Sequence, residues 1–348
     1  MMRYPVNVDE LIDGMAKPPG SLGLLEEHVK RVILCWGEVQ AFKPYHLIFA
    51  ADNGVVDEGV AAFPPVITYL QAKNMADGRA TINAFCRSFN IPCEVVDVGI
   101  NAGEPVGRNL KAARGSRNFT KEPAMSESEY EFVRTAAAGC VQQVVEEHGC
   151  NLFSFGEMGI GNTTTSSAVL HGLTGIEPEF VVGNGASQPN NELIRRKRNT
   201  IVKGMALHKE GLRSAHDILR CLGGFDIVAM CSAMMKCSEM HIPFVIDGFI
   251  SAVAFACACR IDEQVKHYAI PSHLSKEPGM IYALLLGGIP VDKVPIRGNM
   301  ALGEGTGAVL MVGLLKAMLE AVKFTARMAD FDLGPSEGLE ASGVKRKA

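Results

Sequence analysis

A chain of 348 residues that is 47% hydrophobic can bury a large core, enough for one large domain or two unequal ones. Its net charge of −4 comes from interspersed acids and bases with no basic block, which argues against a nucleic-acid partner. Apolar runs such as 281–290 carry glycines and fall short of a membrane span, and the polar start MMRYPVNVDE lacks a signal-peptide core, so a cytoplasmic chain that begins where the working protein begins is expected.

In chain order, the first forty residues read as helical, broken by KPPGSLG (17–23). HLIFAADNG (46–54) reads as a buried strand stopping at Asp52-Asn53-Gly54. A helix-like stretch over 68–89 precedes a second strand, CEVVDVGIN (93–101). A helix over 127–148 leads to a third strand, NLFSFGEMG (151–159), then a helix over 162–172. FVVGNG (180–185) reads as a fourth strand. Helical patterns at 190–219 and 223–240 are followed by a fifth strand, IPFVIDGF (242–249), a helix over 249–260 and a sixth strand, KHYAIPSH (266–273). The last helix-like stretch runs from 306 to 328. From Phe331 onward the chain is polar and glycine-rich and reads as a disordered tail, 331–348. Apolar strands alternating with helices predict an α/β fold, a parallel sheet with helices on both faces. Segments 1–40 and 306–330 are expected to pair into a small helical subdomain beside a body spanning 41–305.

The strands end repeatedly in glycine plus an acid or amide. Open parallel sheets bind ligands outside the carboxyl ends of their strands, so the ends at 52–54, 156–164, 183–185 and 247–248 are expected to converge on one crevice. In GEMGIGNTTTSS (156–167), Gly159, Gly161, Asn162, Thr163 and Thr164 offer amides and hydroxyls at a helix start, a chemistry suited to phosphate. A tight turn with a threonine cap fits the local pattern equally well. Neither a Walker motif nor G-x-G-x-x-G is present, which disfavours a nicotinamide-dependent oxidoreductase. Glu157, a carboxylate among these glycines, would repel a phosphate and so is expected to face another substrate. LGEGTGA (302–308) sets three glycines around Glu304, which could project into a cleft as a general base, provided that partial desolvation raises its pKa. A glycine-rich loop with an exposed glutamate is the plainer alternative. PSHLSKEPGM (271–280) offers Ser275 and Gly279 as donors, while His273 reads as a hydrogen-bonded structural residue. Lys197 or a neighbouring arginine in ELIRRKRNT (192–200) could reach a phosphate, although a solvated basic face is the stronger local reading. The methionine-rich AMCSAMMKCSEM (229–240) reads as core or subunit interface. Ten cysteines without a C-x-x-C pair and nine histidines without H-E-x-x-H spacing predict reduced thiols and no metal site.

KPPGSLG (17–23), FAADNGV (49–55), GEMGIGNTT (156–164), LGGFDIVAM (222–230), VIDGFI (245–250), HLSKEPG (273–279) and LGEGTGA (302–308), in that order, resemble the nicotinate-nucleotide:dimethylbenzimidazole phosphoribosyltransferases, which activate the lower-ligand bases of cobamides. The likeness spans residues 15–325. It implies a Rossmann-like catalytic domain with a small helical subdomain, commonly dimeric, needing no metal and no cofactor. It also implies transfer from nicotinate mononucleotide to an aromatic base, with inversion at the ribose and release of nicotinate. By motif, Glu304 would be the base and Glu157 would line the same site. Gly159, Gly161, Asn162, Thr163, Gly185, Lys197, Ser275 and Gly279 would bind the nucleotide. Phe63, Gln71, Met158 and Leu302 would border the acceptor. Asn53, Pro65, Ala186, Met280 and Ala301 depart from the family pattern, which weakens any expectation of dimethylbenzimidazole specificity. A related branch joins phenol or p-cresol through oxygen and works as two unlike subunits. The chain could act there, as a homodimer or with a paralogue, or serve as a non-catalytic subunit, although retention of both glutamates argues against the last.

Overall fold

A computed structural model describes residues 7–331, so the tail from 332 onward lies outside the described residues. Helices α1 (Val8–Asp13) and α2 (Leu24–Trp36) lead into β1 (Pro44–Ala51). Next come α3 (Val66–Ala76), α4 (Thr81–Phe89), β2 (Cys93–Gly99) and the short β3 (Arg108–Asn109). Helix α5 (Glu127–His148), β4 (Leu152–Met158), α6 (Asn162–Thr174), α7 (Pro178–Val181), α8 (Asn191–His208), α9 (Ala215–Leu222) and α10 (Phe225–Glu239) follow. The chain then forms β5 (Phe244–Ile246), α11 (Phe249–Ile261), β6 (Ala269–Pro271), α12 (Gly279–Leu286) and α13 (Thr306–Phe324).

All six strands are parallel, in the order β3-β2-β1-β4-β5-β6. The chain winds outward from β1, then returns to start the other half at β4. The connections therefore diverge between the carboxyl ends of β1 and β4, which opens a crevice there. Both faces are covered, and this explains the near-continuous apolar strands. Leu47, Phe49 and Ala51 of β1 join the core under α5, α10 and α11, while Ile48 and Ala50 join the opposite core under α3, α4 and α13. A third cluster unites Val8 and Ile12 of α1, Val29 and Ile33 of α2, and Met318, Leu319 and Val322 of α13. Helix α13 thus belongs to two cores, its first half packing on the sheet. Among the described residues, no helix is long and apolar enough to cross a membrane.

Helix α5 matches its sequence reading because its ends are encoded locally. The Ser126 hydroxyl accepts the Glu129 N–H and Glu129 accepts the Ser126 N–H, a capping box, and Gly149 closes the helix in a left-handed conformation. Four expectations need correction. The sixth strand, expected over 266–273, is only Ala269–Pro271, because Lys266 and His267 close a 3-10 turn that Asp262 caps by accepting the Gln264 N–H. The run 180–185 is not a strand: Pro178 starts the short helix α7, and Gly185 then turns the chain with φ +65°. The stretch 68–89 splits at Asp77-Gly78, where Gly78 has φ +74°. The stretch 190–219 breaks at a 3-10 turn, Lys209–Gly211.

Candidate active site

A cavity of about 310 Å³ opens at the carboxyl edge of the sheet, a size that suits a small organic ligand. Every residue that the resemblance places in the site lines it except Gly279. Gly279 packs behind the wall, where a β-carbon would lie 2.4 Å from the Phe249 ring. His273 also lies in the wall, its Nδ1 paired with the Ser272 hydroxyl at 3.0 Å and 3.9 Å from Asp247 Oδ1.

The LGEGTGA loop has three successive left-handed residues: Gly303 (φ +82°), Glu304 (φ +63°) and Gly305 (φ +85°). For a residue with a β-carbon this conformation costs roughly 1–2 kcal/mol. Three contacts hold it. The loop lies directly on β4, so a β-carbon on Gly156 would fall 2.2 Å from the Glu304 carbonyl oxygen. That carbonyl accepts a hydrogen bond from His46 Nε2 at 3.0 Å. Burial holds His46 neutral, down to about 4, so with its proton on Nε2 its Nδ1 accepts from the Ser154 hydroxyl at 2.8 Å. Finally, Asp247 accepts the N–H groups of Gly305 at 3.2 Å and Ala308 at 3.0 Å, fixing the start of α13.

So held, Glu304 is 5% exposed. Gln71 Nε2 donates to its Oε1 at 2.8 Å, and the Ile82 N–H at the start of α4 donates to its Oε2 at 3.4 Å. Burial raises its pKa, the Gln71 and Ile82 hydrogen bonds pull it back, and Asp247 pushes it up again. A raised carboxylate on a fixed loop is the arrangement a general base needs.

Glu157, next to last in β4, lies beside this loop. Burial first, then Asp226, pushes its carboxyl up to about 8. Asn162 donates one amide hydrogen to Glu157 Oε2 and the other to Asp226 Oδ2 at 2.9 Å. Asp226 is fully buried and raised to about 6, chiefly by that burial. A carboxyl near 8 is mostly protonated at neutral pH, so the expected repulsion between Glu157 and a nearby phosphate does not arise.

Across the cavity, Lys197 turns inward from α8 while Arg195 and Arg196 stay exposed. Its Nζ donates to Thr163 Oγ1 at 3.0 Å and to the Gly183 carbonyl at 3.2 Å. The solvated-face reading of this lysine is therefore overturned. Glu277 accepts the Gly185 N–H at 2.8 Å and shapes the same corner. Together with the N-terminal end of α6, these groups can hold an anion. Apolar side chains complete the lining: Val60, Phe63, Ile67, Met158 and Leu302, with Ile67 one helical turn before Gln71 and Leu302 two residues before Glu304. Of the departures from the family pattern, Ala186 and Ala301 line the cavity. Asn53 is buried beneath it, accepting from Thr165 Oγ1 at 3.1 Å, Met280 sits in the core, and Pro65 precedes α3.

Sequence reasoning missed the parts played by Asp226, Asp247, Glu277 and His46. The first two carried a signal: each is a single acid set in an otherwise apolar run, LGGFDIVAM and VIDGFI. A lone acid at such a place requires a buried partner.

The family described as "Phosphoribosyltransferase" matches residues 5–334. The chain is 35% identical over 344 residues to nicotinate-nucleotide–dimethylbenzimidazole phosphoribosyltransferase of Shewanella oneidensis, covering 96% of this chain and 94% of that one. The protein of the same name from Bacteroides fragilis is 36% identical, with 92% of each chain covered. The crystal structure of CobT from Thermus thermophilus superposes with a TM-score of 0.87 at 32% identity, covering 95% of this chain and 98% of that one. A match of this extent, in sequence and in fold, makes the chain an enzyme and a member of the nicotinate-nucleotide–dimethylbenzimidazole phosphoribosyltransferase family.

Proposed function

We propose that the protein transfers the 5-phosphoribosyl group of nicotinate mononucleotide to a flat aromatic lower-ligand base, with Glu304 as the general base. The observation that carries this reading is the Glu304 carboxylate, buried in the cavity wall and held by Gln71 and Ile82. The anion-holding corner of Lys197, Thr163 and Gly185 lines the same cavity. In the reaction, the bond from the ribose to the pyridinium nitrogen breaks, its electron pair neutralises that nitrogen, and nicotinate leaves. The acceptor forms the new bond from the opposite face, through the unprotonated ring nitrogen of a benzimidazole or the oxygen of a phenol, giving the α-ribotide, and the proton of the other ring nitrogen or of the hydroxyl passes to Glu304.

An apolar pocket with a single polar pair suits a flat ring bearing one ionisable edge. Benzimidazoles meet that description through N–H, and phenol and p-cresol through O–H. A phenol of pKa ~10 still needs a placed base. The side chains of Phe63, Met158 and Ala301 offer no hydrogen bond to a second ring heteroatom, so phenols are included as acceptors. We further propose that the chain acts as a dimer.

The test is a substrate panel: nicotinate mononucleotide with 5,6-dimethylbenzimidazole, adenine, phenol or p-cresol. Acceptor-dependent release of nicotinate with an α-linked product is expected. Absence of ribotide with every acceptor, or hydride transfer with added NAD, would overturn the reading.

A further inference from the structure

We propose that Asp226 is a positioning residue for the transfer: through the shared Asn162 amide it keeps Glu157 protonated, so that Glu157 meets the anionic nucleotide as a hydrogen-bond donor. The proposal rests on the reading of the cavity as a nicotinate mononucleotide site.

Asn162 Nδ2 has two hydrogens, and the structure spends one on each carboxyl group. That geometry keeps the two groups within ~5 Å of each other, where like charges disfavour double ionisation. Other elements bring one further negative charge to Glu157, that of Asp247 after β5, while the Glu304 N–H on the loop before α13 donates to it and partly offsets that charge. His273 lies beside Asp247, and the Lys197 ammonium is committed to Thr163 and Gly183. Among the described residues neither Glu157 nor Asp226 forms an ion pair. One proton must therefore reside on the pair.

The surroundings decide which group carries it. Asp226 Oδ1 accepts the Ile227 N–H at 3.0 Å, and the Asn53 amide also lowers its pKa. These donors favour its anion more than the Glu304 N–H favours that of Glu157. Asp226 lies beneath the site, so tightly enclosed that a β-carbon on Gly159 would sit 2.9 Å from its Oδ2 and one on Gly224 2.5 Å from its Oδ1. It does not line the cavity, whereas Glu157 does. The anion is thus placed below the floor and the proton on the group that faces substrate. A neutral acid there can donate to a ribose, phosphate or carboxylate oxygen without repelling an anionic ligand.

The direct test is infrared titration of the carboxylic-acid carbonyl stretch. Wild-type protein should show a band that is lost in E157Q and titrates with a midpoint at about 8. In D226N the midpoint should fall by ~1 pH unit, burial alone keeping the remainder of the shift. A Glu157 already ionised at neutral pH in the wild type, or a midpoint unmoved in D226N, would overturn the proposal. The first result needs no Asp226 variant and so stands even if D226N fails to fold. Calorimetric binding of nicotinate mononucleotide across pH supplies the second readout. Its affinity should weaken above the same midpoint, with that limb moved down by ~1 pH unit in D226N and absent in E157Q. A lower affinity without a moved limb would make Asp226 merely structural. Carboxyl titrations as expected, with no nucleotide binding at any pH, would instead sink the assignment of the cavity and leave the Asp226–Glu157 linkage standing.

Discussion

Glu157 ties the site to the stability of the whole chain. Its carboxyl moves from an ordinary 4.5 to about 8 on folding. Between those values the folded chain binds a proton that the unfolded chain has lost, so stability falls as pH rises across that window. Asp226 acts in the same direction between 3.8 and about 6. E157Q is therefore expected to melt above wild type at pH 8, with the gap closing by pH 5. Parallel melting curves across that range would show that Glu157 ionises normally in the folded protein. Lys197 gives a second prediction at this scale. Its ammonium is buried beside Thr163 and Gly185, where a phosphate would meet it. K197M should weaken nicotinate mononucleotide by about 10- to 100-fold, since hydrogen bonds to charged groups contribute roughly 1.5–3 kcal/mol. Binding of the corresponding riboside, which lacks the phosphate, should change little. An equal loss for both would place the phosphate elsewhere.

At the scale of elements, the site depends on one loop pressed against one strand. Gly156→Ala would put a β-carbon 2.2 Å from the Glu304 carbonyl and push the loop off β4. A displacement of about 1 Å can cost ~100-fold in rate, so activity should collapse together with some stability. Gly139→Ala is the control: it lies in α5, a β-carbon there meets nothing within 4 Å, and it should stabilise by roughly 0.5–1 kcal/mol. Equal activity in the two variants would contradict the loop-on-strand account. The glycine-rich strand ends and Glu304 were legible in the sequence because glycine density reports close approach of backbone. Five of the six strands were legible, though the fifth and sixth are shorter than read, because parallel strands buried on both faces are apolar throughout, and the two-residue β3 was not. FVVGNG misled for a related reason: a short apolar run does not distinguish a strand from a buried helical turn, and Pro178 decided it. Lys197 could not be separated from its basic neighbours until the packing of α8 against α6 turned one of its faces inward. Asp226 and Asp247 needed partners more than 50 residues away, Asn162 for one and the Gly305 N–H for the other. Their roles exist only once the sheet is assembled.

For the whole molecule, α13 is the joint. Its first half packs on the sheet and begins at the Asp247 carboxylate, while its second half completes the cluster of α1 and α2. We therefore propose that the end cluster, 1–40 with 306–330, unfolds together with the sheet body. Trp36 is the single tryptophan and packs against the end cluster, its Nε1 donating to the Asn151 carbonyl at 2.7 Å. Denaturation followed by Trp36 fluorescence and by far-ultraviolet circular dichroism should coincide; separated midpoints would make the end cluster an independent unit. The same assembly brings the glutamate of the loop before α13, the glutamine of α3 and the lysine of α8 to one cavity. The proposed transfer requires that glutamate to take the acceptor's proton. The most direct measurement is steady-state turnover of E304Q beside its affinity for nicotinate mononucleotide. Loss of a general base predicts a fall in kcat of about 10²- to 10⁴-fold with nucleotide affinity retained; turnover near that of the wild type would contradict it.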